Sequence, residues 1–295
     1  MKHLRRYVGG YLLLALLGAN AFIYYAVFAA GEREFTVAFL DVGQGDAIFI
    51  ESPSGAQVLV DGGPNAKVLS ELGELMPLYD RTIDLLILTN PDQDHFAGFL
   101  DVLQQYEVKM VMEPGTVGKS KLYPEFQKAV TGEGAARVLA RRGQVVDLGG
   151  GAYLNILFPD RDVSTEAPND GSIVMQLVYG ETEIMLTGDA TSKVERQLLT
   201  LQNLLDTECL VNCSLESNVL KVGHHGSRTS TGANFVAAVA PEYAIISLGK
   251  DNRYGHPHKE VLDTLANAGV QVLRTDEQSI IVLHSNGEDA RITFK

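Results

Sequence analysis

Residues 87–95 read Ile87-Leu-Thr-Asn-Pro-Asp-Gln-Asp-His95, an apolar run that stops abruptly at a set of polar side chains. Ile83–Leu88 has the aliphatic content of a buried strand, and Gly98–Gln105 beyond it has helical periodicity. Asn90, Asp92, Asp94 and His95 therefore project from one tight strand-to-helix turn. Two carboxylates this close repel and raise one another's pKa unless cations or hydrogen bonds compensate, which is the reason to expect a metal here. Helix capping by Asp92 or Asp94 is the alternative, and it explains one aspartate rather than the cluster.

The same pattern recurs on either side. Val60-Asp-Gly-Gly63 supplies Asp61, Leu186-Thr-Gly-Asp189 supplies Asp189, and Lys221-Val-Gly-His-His-Gly-Ser227 supplies His224 and His225 beside glycines that let a ligand or second backbone approach. Each aspartate alone reads as a turn former. Around these ends, short apolar runs such as Phe35–Leu40, Ala47–Ile50, Gln57–Val60, Val108–Met112, Ala152–Phe158, Ser172–Tyr179 and Tyr243–Leu248 read as strands. Ala66–Met76, Thr191–Leu205, Gly232–Val239 and Lys259–Ala268 read as helices. About a dozen strands with interspersed helices, no internal repeat and no low-complexity linker predict one α/β domain with sheets inside and helices outside.

The 295 residues are 45% hydrophobic, which excludes a disordered or fibrous chain. The net charge of −13 opposes general attraction to nucleic acid, so phosphate chemistry would have to rely on bound cations or a local patch. Only Cys209 and Cys213 are present, too few for a disulfide scaffold or a multi-cysteine zinc module. They would close a strained local loop or remain free thiols. Tyr7–Ala30 carries no charge and as a helix would span about 36 Å, against a hydrocarbon core of about 30 Å. With Lys2, Arg5 and Arg6 before it, this segment is expected to be a transmembrane anchor over 1–30 that leaves residues 31–295 outside the cytoplasm. A cleaved signal peptide is the competing reading, disfavoured because the apolar stretch exceeds the usual signal core.

Six stretches together resemble the metallo-β-lactamase superfamily, and in particular the outward-facing hydrolase domain of ComEC-type DNA-uptake proteins. They are Phe39-Leu-Asp-Val-Gly-Gln-Gly-Asp46, Val60-Asp-Gly-Gly63, Asn90-Pro-Asp-Gln-Asp-His95, Asn169-Asp-Gly-Ser172, Leu186-Thr-Gly-Asp189 and Lys221-Val-Gly-His-His-Gly-Ser227. A seventh, Gly249-Lys-Asp-Asn-Arg-Tyr-Gly-His-Pro-His258, is more particular to the uptake branch. The resemblance implies a four-layer αββα sandwich with metal at one edge of the paired sheets.

Carried over residue by residue, it makes Asp94, His95 and His224 ligands of one ion, with Asp189 bridging to a second. The second site is left with Asn90, Asp92, shared Asp189 and Asp170. Relatives generally have histidine where this sequence has Asn90, and another histidine position falls near Asn169 and Asp170. An amide carbonyl lacks the nitrogen donation that favours zinc, so the weakened site should prefer Mn²⁺, Mg²⁺ or no ion, while Zn²⁺ suits the stronger one. Two ions would activate water and clamp the oxygens of a phosphodiester, with Asp94 orienting the attacking oxygen.

The remaining assignments are weaker. His225, Ser227 and Thr229 are candidates to donate to substrate oxygens, though the hydroxyls equally suit a turn. His256 or His258 would protonate the leaving oxygen, or support the site from behind. Gln44-Gly45-Asp46 reads as a plain turn. Arg141, Arg142, Lys250 and Arg253 would line a strand-binding groove or an ordinary solvated face. The expected function is a membrane-anchored, outward-facing hydrolase of phosphodiesters, with DNA as substrate and a separate uptake channel as partner. A binding module with a degraded metal site and a hydrolase of small phosphoesters are the alternatives.

Overall fold

A computed structural model describes residues 2–29, 33–204 and 214–295. The chain forms two compact units, Met1–Arg33 and Glu34–Lys295. The first is a single helix, Lys2–Ala29, with exposed Leu12, Leu13, Leu16 and Leu17. Among the described residues no helix is long and apolar enough to cross a membrane. The span expected at Tyr7–Ala30 lies partly outside the described residues, and Cys209 and Cys213 lie wholly outside them.

Among the described residues, the second unit contains fifteen strands. In chain order they are β1 (Phe35–Phe39), β2 (Ile48–Glu51), β3 (Gln57–Val60), β4 (Thr82–Ile87), β5 (Glu107–Glu113), β6 (Ala136–Leu139), β7 (Val145–Gly149) and β8 (Ala152–Phe158). β9 (Val174–Tyr179), β10 (Thr182–Leu186), β11 (Val219–Lys221), β12 (Tyr243–Ile246), β13 (Gln271–Arg274), β14 (Ile281–Ser285) and β15 (Ala290–Phe294) complete the set. One sheet has the order β15-β14-β1-β2-β3-β4-β5-β6 and the other β13-β12-β11-β10-β9-β8-β7.

Side chains alternate across each strand, so each sheet presents two faces. Phe35, Val37 and Phe39 of β1 meet Leu154, Ile156, Met175, Leu177 and Ile184 from the other sheet in a shared central core. Ala38 of the same strand faces the opposite way, into a second core with Val68, Phe96, Phe99 and Phe126. A third core packs Met185 and Leu220 against Val194, Leu198, Phe235 and Leu265 of covering helices. Three cores between four layers are the expected αββα sandwich.

The expected strand positions agree with the observed ones to within about two residues, the usual uncertainty of such boundaries. Helix Tyr123–Glu133 and strand β7 have no counterpart in the expected elements. β7 closes the edge of its sheet with mostly exposed or half-buried residues, so it lacks the buried apolar run that reveals an inner strand. β3 pairs parallel with β4, and β10 with β11, so their carboxyl ends open on one edge of each sheet. In open α/β sheets such carboxyl ends are where ligands bind.

Candidate metal centre

The polar residues that end these strands meet. Asp61 follows β3, the Asn90–His95 turn follows β4, Asp189 follows β10, and His224 and His225 follow β11. Asp46 comes from the β1–β2 connection, which presses so closely on the turn that a Cβ on Gly45 would lie 2.3 Å from the Asp94 carbonyl oxygen. Gly98 permits a second close approach, since a Cβ there would meet the Gly62 carbonyl oxygen at 2.0 Å. These two glycines let three chain segments converge on one point.

At that point His95 Nε2 lies 3.1 Å from Asp189 Oδ2. His225 Nε2 lies 3.5 Å from Asp94 Oδ2 and 3.7 Å from Asp189 Oδ1. The opposite edge of each imidazole is held from behind. His95 Nδ1 is 2.8 Å from Asp61 Oδ2, and Asp61 in turn accepts from Thr89 N at 2.8 Å and Thr89 Oγ1 at 2.5 Å. His225 Nδ1 donates to the Ser247 carbonyl at 2.9 Å and lies 3.4 Å from Asp46 Oδ1. Engaging Nδ1 in this way fixes the ring and directs Nε2 at a ligand.

Among the described residues, the buried atoms here without a hydrogen-bond partner include His95 Nε2, His225 Nε2, Asp189 Oδ1 and Asp46 Oδ1. Buried polar atoms are nearly always satisfied, and two imidazole nitrogens with two carboxylate oxygens lacking a hydrogen bond at one place are what a bound cation would satisfy. A divalent cation fits the donor set. One donor atom from each of Asp46, His95, Asp189 and His225 falls within 4.8 Å of the others.

The electrostatics agree. Burial alone would strip the proton from His225, but Asp46 and Asp189 beside it push its pKa up to about 10. Burial likewise opposes charge on His95, and Asp189 and Asp61 overcome it, raising its pKa well above the usual imidazole range. Burial works against the Asp46 carboxylate, yet Lys221 and His225 hold its pKa down at about 2. Asp92 is raised, by burial first and then by the like charges of Asp94 and Asp189. The site is a knot of negative charge that attracts protons or a metal.

The structure places several of the expected site residues differently from one another. His225, expected to touch substrate, is the histidine that enters the tight group. His224 stands further out, its Nε2 3.8 Å from Asp189 Oδ2 and its Nδ1 3.0 Å from Thr229 Oγ1. Both histidines adopt left-handed backbone, φ 49° and 53°, and the His225 side chain is buried while that of His224 is 27% exposed. Asp170 faces away, accepting from Thr191 Oγ1 at 2.6 Å and Lys193 Nζ at 3.1 Å. Asn90 is fully buried and both ends of its amide are used: Nδ2 donates to Asn169 Oδ1 at 2.7 Å, and Oδ1 accepts from Asp92 N at 3.0 Å. The two asparagines at the positions noted for histidine thus clasp each other. Asp92 heads the short helix Gln93–Phe96 without any side-chain cap bond, so capping does not explain it.

Among the weaker candidates, Ser227 Oγ and Thr229 Oγ1 lie 3.0 Å apart and brace the His224 ring. The His258 ring engages Arg228 through both nitrogens, Nδ1 accepting from the backbone N at 3.2 Å. Arg141 and Arg142 donate to backbone carbonyls of Pro114 and Leu157 rather than lining a groove. His256 lies at the site, stacked between the His225 ring at 6.3 Å and the Tyr254 ring at 5.7 Å. Burial and the neighbouring His225 and His224 push its pKa down to about 4, so it is neutral at physiological pH. A cleft of about 560 Å³ runs from Asp94 past Gln44, Asn65 and Asn252 to Arg253 and Tyr254.

Asp61, read in the sequence as a turn former at a strand end, Asp46, read as part of a plain turn, and Lys221, given no role of its own, all lie against this group. The visible clue was the lysine: Lys221 ends an otherwise apolar strand, and a charge in such a run needs a buried partner.

The fold and the clustered donors at its sheet edges are those of a metallo-beta-lactamase type of protein. Residues 40–250 match the metallo-beta-lactamase superfamily, and the chain belongs to it. It is 34% identical over 278 residues to ComE operon protein 3 of Bacillus subtilis, covering 88% of this chain and 34% of that protein. It is 30% identical to competence protein ComA of Neisseria gonorrhoeae over 89% of this chain and 34% of that protein. The chain therefore spans about a third of the length of these curated relatives. Among solved structures, the metallo-beta-lactamase fold protein YhfI from Bacillus subtilis shares the fold, with a TM-score of 0.52 and 14% identity over 83% of this chain and 98% of that one.

Proposed function

We propose that Glu34–Lys295 is a metal-dependent phosphodiesterase that acts on DNA. The observation that carries this reading is the convergence of unpartnered Nε2 atoms of His95 and His225 on Asp189, with Asp94 beside them, at the carboxyl ends of the strands. His95, His225, Asp94 and Asp189 would hold the ion. A divalent cation bound there supplies Lewis acidity, acidifying water and polarising a phosphoryl oxygen.

The chain's own residues do the rest. Asp61 and the Ser247 carbonyl fix the two imidazole rings, so that no reorganisation is needed during reaction. Asp94 is the most exposed of the four, its side chain 35% accessible, and stands where it would orient an attacking water. Neutral His256 would donate or accept a hydrogen bond at the rim rather than act as an acid. The cleft beside Asp94 is suited to a flexible strand: Tyr254 is exposed for base stacking and Arg253, over its ring at 5.7 Å, meets phosphate. Similarity to competence proteins supports DNA as the polymer.

Lys2–Ala29 would anchor the domain, with the basic residues on the cytoplasmic side and the hydrolase facing outward beside a separate uptake channel. Mn²⁺ and Zn²⁺ are the ions to test first, with Mg²⁺ third. Purified protein should cleave a labelled single strand with one of them, and lose the activity on chelation and in His225→Ala. The Asn90–Asn169 clasp favours a second reading, a DNA-binding module with a reduced metal site. Retained DNA binding without cleavage under any of the three ions would select it. Cleavage of small phosphodiesters but not polymers would instead move the substrate to a smaller ester.

A further inference from the structure

Lys221 ends β11 with only 1% of its surface exposed. Its Nζ donates to Asp46 Oδ2 and, at 3.3 Å, to the Gly188 carbonyl, while Thr187 Oγ1 pins the backbone behind it at 2.7 Å. A cation this deep is tolerated only when paired. Its partner is the one carboxylate of the tight group that has no place in the ligand set described above.

Distance does not exclude Asp46 from that set, since it lies within the 4.8 Å group and its Oδ1 is unpartnered. Orientation does. Its approaches to the imidazoles are to Nδ1 atoms, 3.4 Å for His225 and 3.9 Å for His95, and those nitrogens already face the Ser247 carbonyl and Asp61. Its other oxygen is tied to Lys221. We propose that the buried Lys221–Asp46 pair sets the ligand count of the centre: Lys221 draws Asp46 back, so that it positions His225 through Nδ1 instead of joining the ion. The inference rests on the metal reading above. Its chemical consequence is an open coordination position, which catalytic sites keep for water and substrate oxygen. Without Lys221, Asp46 would be a free carboxylate beside a dication, and would fill that position.

Cobalt(II) reports this directly, because its visible d–d bands weaken as coordination number rises. With the full chain, Lys221→Met should bind cobalt(II) with bands several-fold weaker than the unaltered protein. Asp46→Asn should keep the original intensity, and the double variant Lys221→Met/Asp46→Asn should recover it, since no carboxylate remains to join. Bands in Lys221→Met equal to those of the unaltered protein would overturn the inference while leaving the metal centre standing. So would Asp46→Asn bands altered as for a lost ligand. If Lys221→Met fails to fold, Asp46→Asn still decides: unchanged bands show Asp46 held out of the ligand set, as the inference requires, and bands altered as for a lost ligand refute it. No cobalt(II) uptake by the unaltered protein would sink the metal reading and this inference with it.

Discussion

Asp61→Asn keeps the size of the side chain and removes one acceptor oxygen. The carboxylate serves three donors, Thr89 N at 2.8 Å, Thr89 Oγ1 at 2.5 Å and His95 Nδ1 at 2.8 Å. An amide has one oxygen, so its NH₂ must face either Thr89 or the imidazole, donor against donor. Leaving one buried donor unsatisfied costs about 1–3 kcal/mol, and at roughly 2–4 °C per kcal/mol for a domain of this size the melting point should fall by several degrees. Metal affinity should fall by about 10–100-fold, the usual effect of removing the group that orients a ligand histidine. Chelator competition gives the affinity and a thermal melt gives the stability, both on the same preparation. A variant that melts lower but binds metal as tightly as the unaltered protein would refute the orienting role, because Asp61 would then be only a support for the Thr89 turn.

His225→Ala should reduce metal occupancy and activity far more than His224→Ala, which elemental analysis of both variants would check; equal losses would contradict the division between the two. Asn90→Ala leaves Asn169 Oδ1 and Asp92 N without their partners and should lower stability by about 1–2 kcal/mol, read as a shift in denaturation midpoint. After chelation, stability should vary with pH in a defined direction. His225 is raised from 6.5 to about 10, so its contribution is present in full below pH 6.5 and lost as pH climbs towards 10. Asp46 is lowered from 3.8 to about 2, so its contribution holds above pH 3.8 and disappears as pH falls through 2. A chelated sample whose melting temperature stays flat from pH 6.5 to 10 would count against these pairings. Tyr254→Ala should raise KM for a single strand by about 5–100-fold, from the loss of one stacked base, with a smaller effect on kcat.

The Asp94–His95 turn and Asp189 are legible in the chain because each follows an apolar strand, and a strand end marks where a side chain leaves the core. The four layers are legible for a related reason: alternation along strands such as Phe35–Phe39 demands cover on both faces. β7 is not, since its edge position leaves it partly solvated and therefore without pattern.

Local sequence thus determined the elements, their order and the polar strand ends, because side-chain period and turn chemistry act over a few residues. Tertiary structure alone decided who meets whom. Asp61 reaches His95 across 34 residues and Asp46 reaches Lys221 across 175, separations that no spacing rule spans. It also decided between adjacent histidines. His224 and His225 are equivalent donors as text, and only the tertiary contacts separate them: the Ser247 carbonyl and Asp46 hold the buried His225 ring, while Thr229 holds His224 at the rim.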